Sequence, residues 1–115
     1  MAHLVSLGAS RMFIIVTTGK GRNMLSITHH AQARLQQRGI PSTVVESLLD
    51  FGRQAHDHRG STIVYFDHRA RRSLQRQLPR ESFRQLEPHL DAYVVLGSDG
   101  NVVTVGHRTR RINRN

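Results

Sequence analysis

Histidine and arginine side chains recur at helical spacing in residues 30–38. His30, Arg34 and Arg38 are four residues apart, so on a helix they advance by about 40° per step and form one polar stripe. A second basic cluster follows an apolar alternating stretch near the carboxyl end, His107-Arg108-Thr109-Arg110-Arg111. Histidine titrates near neutral pH, and the planar guanidinium of arginine binds two phosphate oxygens at once. The two clusters therefore indicate phosphate chemistry.

The charge of the chain points to a polyanionic partner. Seventeen Lys and Arg face eight Asp and Glu, which gives a net charge of +9 in 115 residues, and Lys20 is the sole lysine. A chain of this length forms one domain. Nucleic acid is favoured over a membrane because no strongly basic amphipathic helix carries bulky apolar residues on its other face. An acidic protein partner fits the charge equally well.

Cysteine is absent, which excludes disulfides, a thiol nucleophile and a thiolate metal site. No apolar stretch approaches 18 residues, so we expect no membrane span and a cytoplasmic protein. His56 and His58 would share one side of a strand, the spacing of two metal ligands. A stable site needs a third ligand, and such pairs are more commonly plain surface residues. We therefore predict no metal site and no cofactor.

Turn and cap residues predict two helices followed by a hairpin. Thr28 can cap a helix that runs through Arg38 and ends at Gly39, and a second helix begins after Pro41. Thr43 and Glu46 have capping-box spacing at the start of this second helix, which ends at Phe51-Gly52. Its apolar face consists of Val44, Val45, Leu48 and Leu49. Residues 53–58 and 61–66 read as strands joined at Arg59-Gly60.

The second half of the chain is predicted to form a further helix and a further hairpin. Asp67 can cap a third helix that ends before Pro79, with a brief turn continuing through Glu87. Residues 90–96 and 102–105 form a hairpin across Ser98-Asp99-Gly100-Asn101. We expect its core residues to be Tyr93, Val95, Val103 and Val105, or their alternates.

The predicted fold is α+β, with an amino-terminal helix hairpin packed on a small antiparallel sheet. Residues 24–115 form the single domain with a basic carboxyl-terminal tail, and residues 1–23 are an extension joined by the turn-rich stretch 19–23. Two alternatives remain open for this extension. Met12 to Thr18, rich in β-branched and aromatic residues, is an extra edge strand, or the start codon is mis-set and Met24 is the first residue.

The motif Ile27-Thr28-His29-His30-Ala31-x-x-Arg34-Leu35-x-x-Arg38-Gly39-Ile40-Pro41, the Tyr-containing strands and the terminal cluster from His107 to Arg111 resemble a bacterial domain-of-unknown-function family. More distantly, residues 24–113 are similar to BrnT-type toxins of the RelE and ParE-like superfamily. The chain departs from the BrnT pattern by the Arg-rich stretch between Asp67 and Pro88.

The RelE-like resemblance implies a metal-independent endoribonuclease that acts on RNA, free or on the ribosome, and is neutralised by an antitoxin protein. Cleavage needs a proton acceptor, a proton donor and cations at the phosphate. We select His30 and His107 as the titrating groups, which we expect to converge in one cationic pocket, and Tyr65 as a reserve catalytic candidate. The predicted phosphate-binding residues are Arg34, Arg38, Arg108, Arg110 and Arg111.

Each of these residues also has a purely structural interpretation. His30 can be a structural histidine, the arginines solvated helix residues, and the last residues a basic tail. Two other functions therefore remain open. One is a non-catalytic nucleic-acid-binding module, whose affinity falls steeply with salt. The other is a toxin-fold protein that acts on a protein target.

Overall fold

The protein folds as one mixed sheet with helices packed against it. The structure is a computed structural model that describes residues 2–6, 12–18, 21–57 and 59–108, with the backbone alone before Ser26. In these ranges seven strands have the order β1-β2-β3-β7-β6-β5-β4. Neighbouring strands are antiparallel except β3 and β7, which are parallel where Ile27 pairs with Val102. The strands are β1 (Ala2–Ser6), β2 (Met12–Thr18), β3 (Gly21–Ile27), β4 (Arg53–His56), β5 (Thr62–Tyr65), β6 (Ala92–Leu96) and β7 (Val102–His107). The predicted α+β class is confirmed.

The amino-terminal segment contributes three strands to this sheet. Met12–Thr18, predicted as an extra edge strand, is the strand β2, but it lies inside the sheet between β1 and β3. Residues 21–23, expected in a turn-rich link, lie in β3. Two hydrogen bonds join the end of this segment to the rest of the sheet. The Ser26 amide donates to Asn101 Oδ1 at 2.9 Å, and the Thr28 amide donates to the Val102 carbonyl at 3.0 Å.

Two short helices follow β3. Helix α1 (His29–Gln37) begins as predicted, because the Thr28 hydroxyl accepts a hydrogen bond from the Ala31 amide. Gly39, at φ 60°, then takes the left-handed conformation that ends a helix. Helix α2 (Ser42–Phe51) buries Val44, Val45 and Leu48. The predicted Thr43–Glu46 capping box is wrong, since the N-cap residue is Pro41, which makes no side-chain capping bond.

Two further helices connect the hairpins. Asp67 caps α3 (His68–Gln77) as predicted, through a 2.8 Å bond from the Ala70 amide to its Oδ1. The segment after Pro79, expected as a brief turn, is a second helix, α4 (Arg80–Leu86), continued by a 3₁₀ turn over Glu87–His89. The longest helices of the described ranges have ten residues, and none is long and apolar enough to cross a membrane.

The core lies between the helices and one face of the sheet. Ala92, Val94, Val102 and Val105 are buried there, whereas Tyr93, Val95 and Val103 are only partly buried. Of the residues expected in the core of this hairpin, only Val105 is buried, and the alternates take the other positions. For β7 the reason is a register shift, since Val95 pairs with Thr104 but Leu96 pairs with Val102. Val103 is therefore the extra residue of a β-bulge, which lets Val102 and Val105 both face the helices.

Candidate acid–base site

Helix α1 carries the first group of predicted site residues on its outer surface. His30 and Arg38 are exposed and Arg34 is partly buried, while Ala31 and Leu35 form the buried side of the helix. None of the three predicted side chains makes a hydrogen bond or an ion pair with another described residue. The polar stripe predicted from their spacing is therefore present and faces solvent.

His30 and His107 lie near opposite ends of β7. Helix α1 starts beside the beginning of that strand, where the Thr28 hydroxyl donates to the Val103 carbonyl at 3.2 Å. His107 is the last residue of β7, five residues beyond Val102, a separation of about 17 Å at 3.4 Å per residue. The expected convergence of these two histidines is not found.

Tyr65 and Arg108, by contrast, are in contact. The Arg108 guanidinium carbon lies 5.2 Å from the centre of the Tyr65 ring, which is cation–π distance. The ring is on the sheet face turned away from the helices, because Tyr65 pairs with Tyr93 and Tyr93 with Gly106. Tyr65 is 2% exposed, and its hydroxyl has no hydrogen-bond partner in the described part of the chain. Arg110 and Arg111 lie outside the described residues.

Among the described residues, His107 has two polar side chains beside it. Its Nε2 lies 3.3 Å from Nδ1 of His89, and its Nδ1 lies 3.8 Å from the Asp91 carboxylate. The two rings meet edge-on, with centroids 5.4 Å apart and an interplanar angle of 66°. Asp91, His107 and His89 thus follow each other in a line. A proton on one imidazole ring is shared with the other ring.

The hairpin and the 3₁₀ turn together position this line. Ala92 pairs with His107 in the β6–β7 ladder, and the Arg108 amide donates to the Asp91 carbonyl at 2.8 Å. Asp91 is therefore directly beside the end of β7. His89 is brought to the same place by the 3₁₀ turn that precedes β6.

Arg71 of α3 attaches the turn to the rest of the fold. Its Nη2 donates to the Leu90 carbonyl at 3.2 Å and its Nε to the Phe66 carbonyl at 3.4 Å. A guanidinium has five N–H donors, so donors remain on Arg71 for another acceptor. The side chain is partly buried, and its guanidinium holds the Leu90 carbonyl, between His89 and Asp91 in the chain.

Burial lowers the pKa of His89 below its ordinary value, and the neighbouring His107 lowers it further, while Asp91 acts in the opposite direction. His89 is therefore neutral at pH 7, and a nitrogen of its ring can accept a proton. The pair offers one proton acceptor next to a second imidazole oriented by a carboxylate.

Metal ligation has less support in the described ranges. No group of three or more His, Asp or Glu side chains there is arranged to hold a metal ion. His56 Nδ1 lies 3.0 Å from the Thr62 hydroxyl, and His58 lies outside the described residues. An open depression of about 360 Å³ on α4 is lined by Arg80, Glu81, Arg84 and Gln85, none of which belongs to the histidine pair.

Sequence reasoning found His107 but missed His89, Asp91 and Arg71. One signal for Asp91 was available, because a hairpin centred on Asp99-Gly100 brings the residues before β6 beside the end of β7. His89 carried no such signal, since it follows a segment whose helix and 3₁₀ turn were not predicted.

Comparison of the chain with protein-family models, with curated proteins and with solved structures found no significant match.

Proposed function

We propose that the chain binds RNA and cleaves its phosphodiester bonds by acid–base chemistry at His89 and His107, a reaction that needs no metal. The observation that carries this proposal is the 3.3 Å contact between the two imidazoles, with Asp91 behind one of them. Two adjacent titrating groups supply the two proton transfers that the reaction requires. The net charge of +9 supports a polyanionic substrate.

A nitrogen–nitrogen distance of 3.3 Å leaves no room for a phosphate, so in the proposed reaction the two rings separate and the scissile phosphate enters between them. His89 Nδ1 accepts the proton of the ribose 2′-hydroxyl, whose oxygen attacks phosphorus and forms the new P–O bond. The P–O5′ bond breaks, and His107 Nε2 donates a proton to the leaving oxygen. The products are a 2′,3′-cyclic phosphate and a 5′-hydroxyl.

Three further side chains have supporting roles in this proposal. Asp91 positions the His107 ring through Nδ1, as a carboxylate does for a catalytic histidine elsewhere. Arg71 offers its remaining donors to the charged phosphorane. Tyr65 stays a reserve candidate, on the other face of the sheet.

The phosphate-binding roles of Arg34, Arg38, Arg108, Arg110 and Arg111 stay predictions. So do the antitoxin partner, the ribosome and the cytoplasmic location, all of which the RelE-like resemblance or the composition suggested.

The test is cleavage of a labelled RNA by the purified full chain in excess EDTA, with and without ribosomes. We expect fragments that end in a 2′,3′-cyclic phosphate, and a loss of about 100-fold or more in His89→Gln and in His107→Gln. His56→Gln is the matched control, because His56 is an exposed histidine on β4, at the sheet edge away from β7.

Two outcomes contradict the proposal. Cleavage that survives both substitutions but is lost in His30→Ala with Arg34→Ala places the chemistry on α1 instead. RNA binding without cleavage under any of these conditions leaves the non-catalytic binding module.

A further inference from the structure

Five arginines of α3 and α4 point into solvent without a partner in the part of the chain that the structure describes. Their guanidinium groups make no hydrogen bond or ion pair with any described residue. Helix α3 contains no acidic residue, and Glu81 is the only one within α4. The set comprises Arg69, Arg72, Arg76, Arg80 and Arg84, all exposed, and we call it the α3–α4 arginine face.

Helical geometry arranges this face as a row of charges. Arg69, Arg72 and Arg76 have the spacing i, i+3, i+7, which places them on one side of α3, opposite the buried Ala70 and Leu74. They span about 10 Å along the helix axis, or about three nucleotides of one duplex strand. Arg80 and Arg84 are one turn apart on α4 and line its open depression.

The residues between the arginines indicate which kind of polyanion this face can bind. The other exposed positions of the two helices are His68, Gln75, Gln77, Glu81, Ser82 and Gln85, so no bulky apolar side chain is available for insertion into a lipid surface. Phe83, the aromatic residue of α4, is partly buried against the core. Without an exposed aromatic ring there is no platform for stacking single-stranded bases.

We propose that the α3–α4 arginine face binds the phosphate backbone of a nucleic-acid duplex. Guanidinium groups contact successive phosphates of one strand, and the glutamine and serine side chains donate to phosphate or sugar oxygens. The contacts carry no base specificity. This surface differs from the histidine pair and requires no cleavage.

The test measures binding of the full chain to a 16-base-pair RNA duplex, to a DNA duplex of equal length and to the separated strands, over a range of salt. The triple variant Arg69→Gln, Arg72→Gln, Arg76→Gln changes exposed side chains only, so it is expected to fold like the wild type, as circular dichroism checks. We expect at least a tenfold weaker affinity for the duplex. The slope of log K against log salt for DNA is expected to fall by about 2.7, since each phosphate contact contributes about 0.9.

A variant with the same change in net charge at exposed positions elsewhere, Gln54→Glu, Arg59→Gln, Ser98→Asp, is the matched comparison. Equal losses in the two triple variants show that net charge alone matters and overturn the proposal. So does unchanged duplex affinity in the α3 variant, or a loss confined to the separated strands.

Failure of the RNA-cleavage proposal can be distinguished from failure of the duplex-binding proposal. His89→Gln should bind the duplex like the wild type, whereas the α3 variant should cleave a dinucleotide, too short to reach the arginine face, at the wild-type rate. Loss of duplex binding in His89→Gln contradicts the separation of the two surfaces.

Discussion

Nδ1 of His89 lies 3.3 Å from Nε2 of His107, so one imidazole donates a hydrogen bond to the other. The contact joins the 3₁₀ turn after α4 to the last residue of β7. Two protonated rings cannot make it, because each would present an N–H group to the other. The contact therefore depends on pH.

Acid should weaken the fold through His89. Its pKa is lowered in the folded state, by burial first and by His107 second, so below the unfolded-state pKa of about 6.5 the unfolded chain binds more protons. The stabilisation is fully present above that pH and is lost as the pH falls toward the folded-state pKa. Urea unfolding from about pH 7.5 to about pH 5 should show a smaller decline in His89→Gln than in the wild type. Parallel declines in the two proteins would contradict this, and His56→Gln is the control.

Replacing Thr28 should destabilise the chain. Its hydroxyl accepts from the Ala31 amide and donates to the Val103 carbonyl. Thr28→Val removes both bonds and should lower the free energy of unfolding by about 1 kcal/mol or more. Thr28→Ser keeps the hydroxyl and should retain most of that stability. Thr43→Val, at an exposed position of α2, should change stability by less than about 0.5 kcal/mol. Denaturant unfolding measures all three, and a neutral Thr28→Val would show that neither bond contributes.

Two glycines should resist substitution for different reasons. A Cβ on Gly52 would lie 2.4 Å from the Leu48 carbonyl oxygen and 2.6 Å from a methyl carbon of Val64, whereas one on Gly39 meets nothing within 4 Å. Gly52→Ala should cost about 1–3 kcal/mol by overpacking, and Gly39→Ala about 1 kcal/mol by left-handed strain.

Asparagine separates these two causes, because it tolerates the left-handed region. Gly39→Asn should recover part of the stability lost in Gly39→Ala, and Gly52→Asn should be at least as unstable as Gly52→Ala. Thermal unfolding of the four variants gives the comparison. Recovery at Gly52 would mean that its neighbours move aside.

The Tyr65 hydroxyl should contribute nothing to stability. It is buried without a hydrogen-bond partner among the described residues, so Tyr65→Phe removes a group whose desolvation is uncompensated. The variant should be as stable as the wild type or slightly more stable in denaturant unfolding. A large loss would reveal a partner for the hydroxyl. The same variant tests the reserve catalytic role, since a contribution to RNA cleavage would appear as a lower rate at unchanged stability.

The elements that were predictable from sequence are those fixed by local interactions. Thr28 and Asp67 cap helices within three residues of themselves, and Gly39 ends α1 through its own backbone conformation. Such signals are complete within a few residues, so they need no knowledge of the tertiary structure.

What was missed depends on distant contacts. The bulge at Val103 changes which residues of β7 face the core, although Val103, Thr104 and Val105 alternate as in a regular strand. The His89 contact likewise requires the 3₁₀ turn and the hairpin to meet, across 18 positions of sequence. Of the predicted catalytic residues, only His107 is in the histidine pair.

Consecutive residues of a strand project to opposite sides, so His107 and Arg108 emerge above and below the last rung of the β6–β7 ladder. One reaches His89 and the other lies over Tyr65. A small compact anion can occupy only one side at a time, whereas a flexible polymer that curves around this rim can touch both.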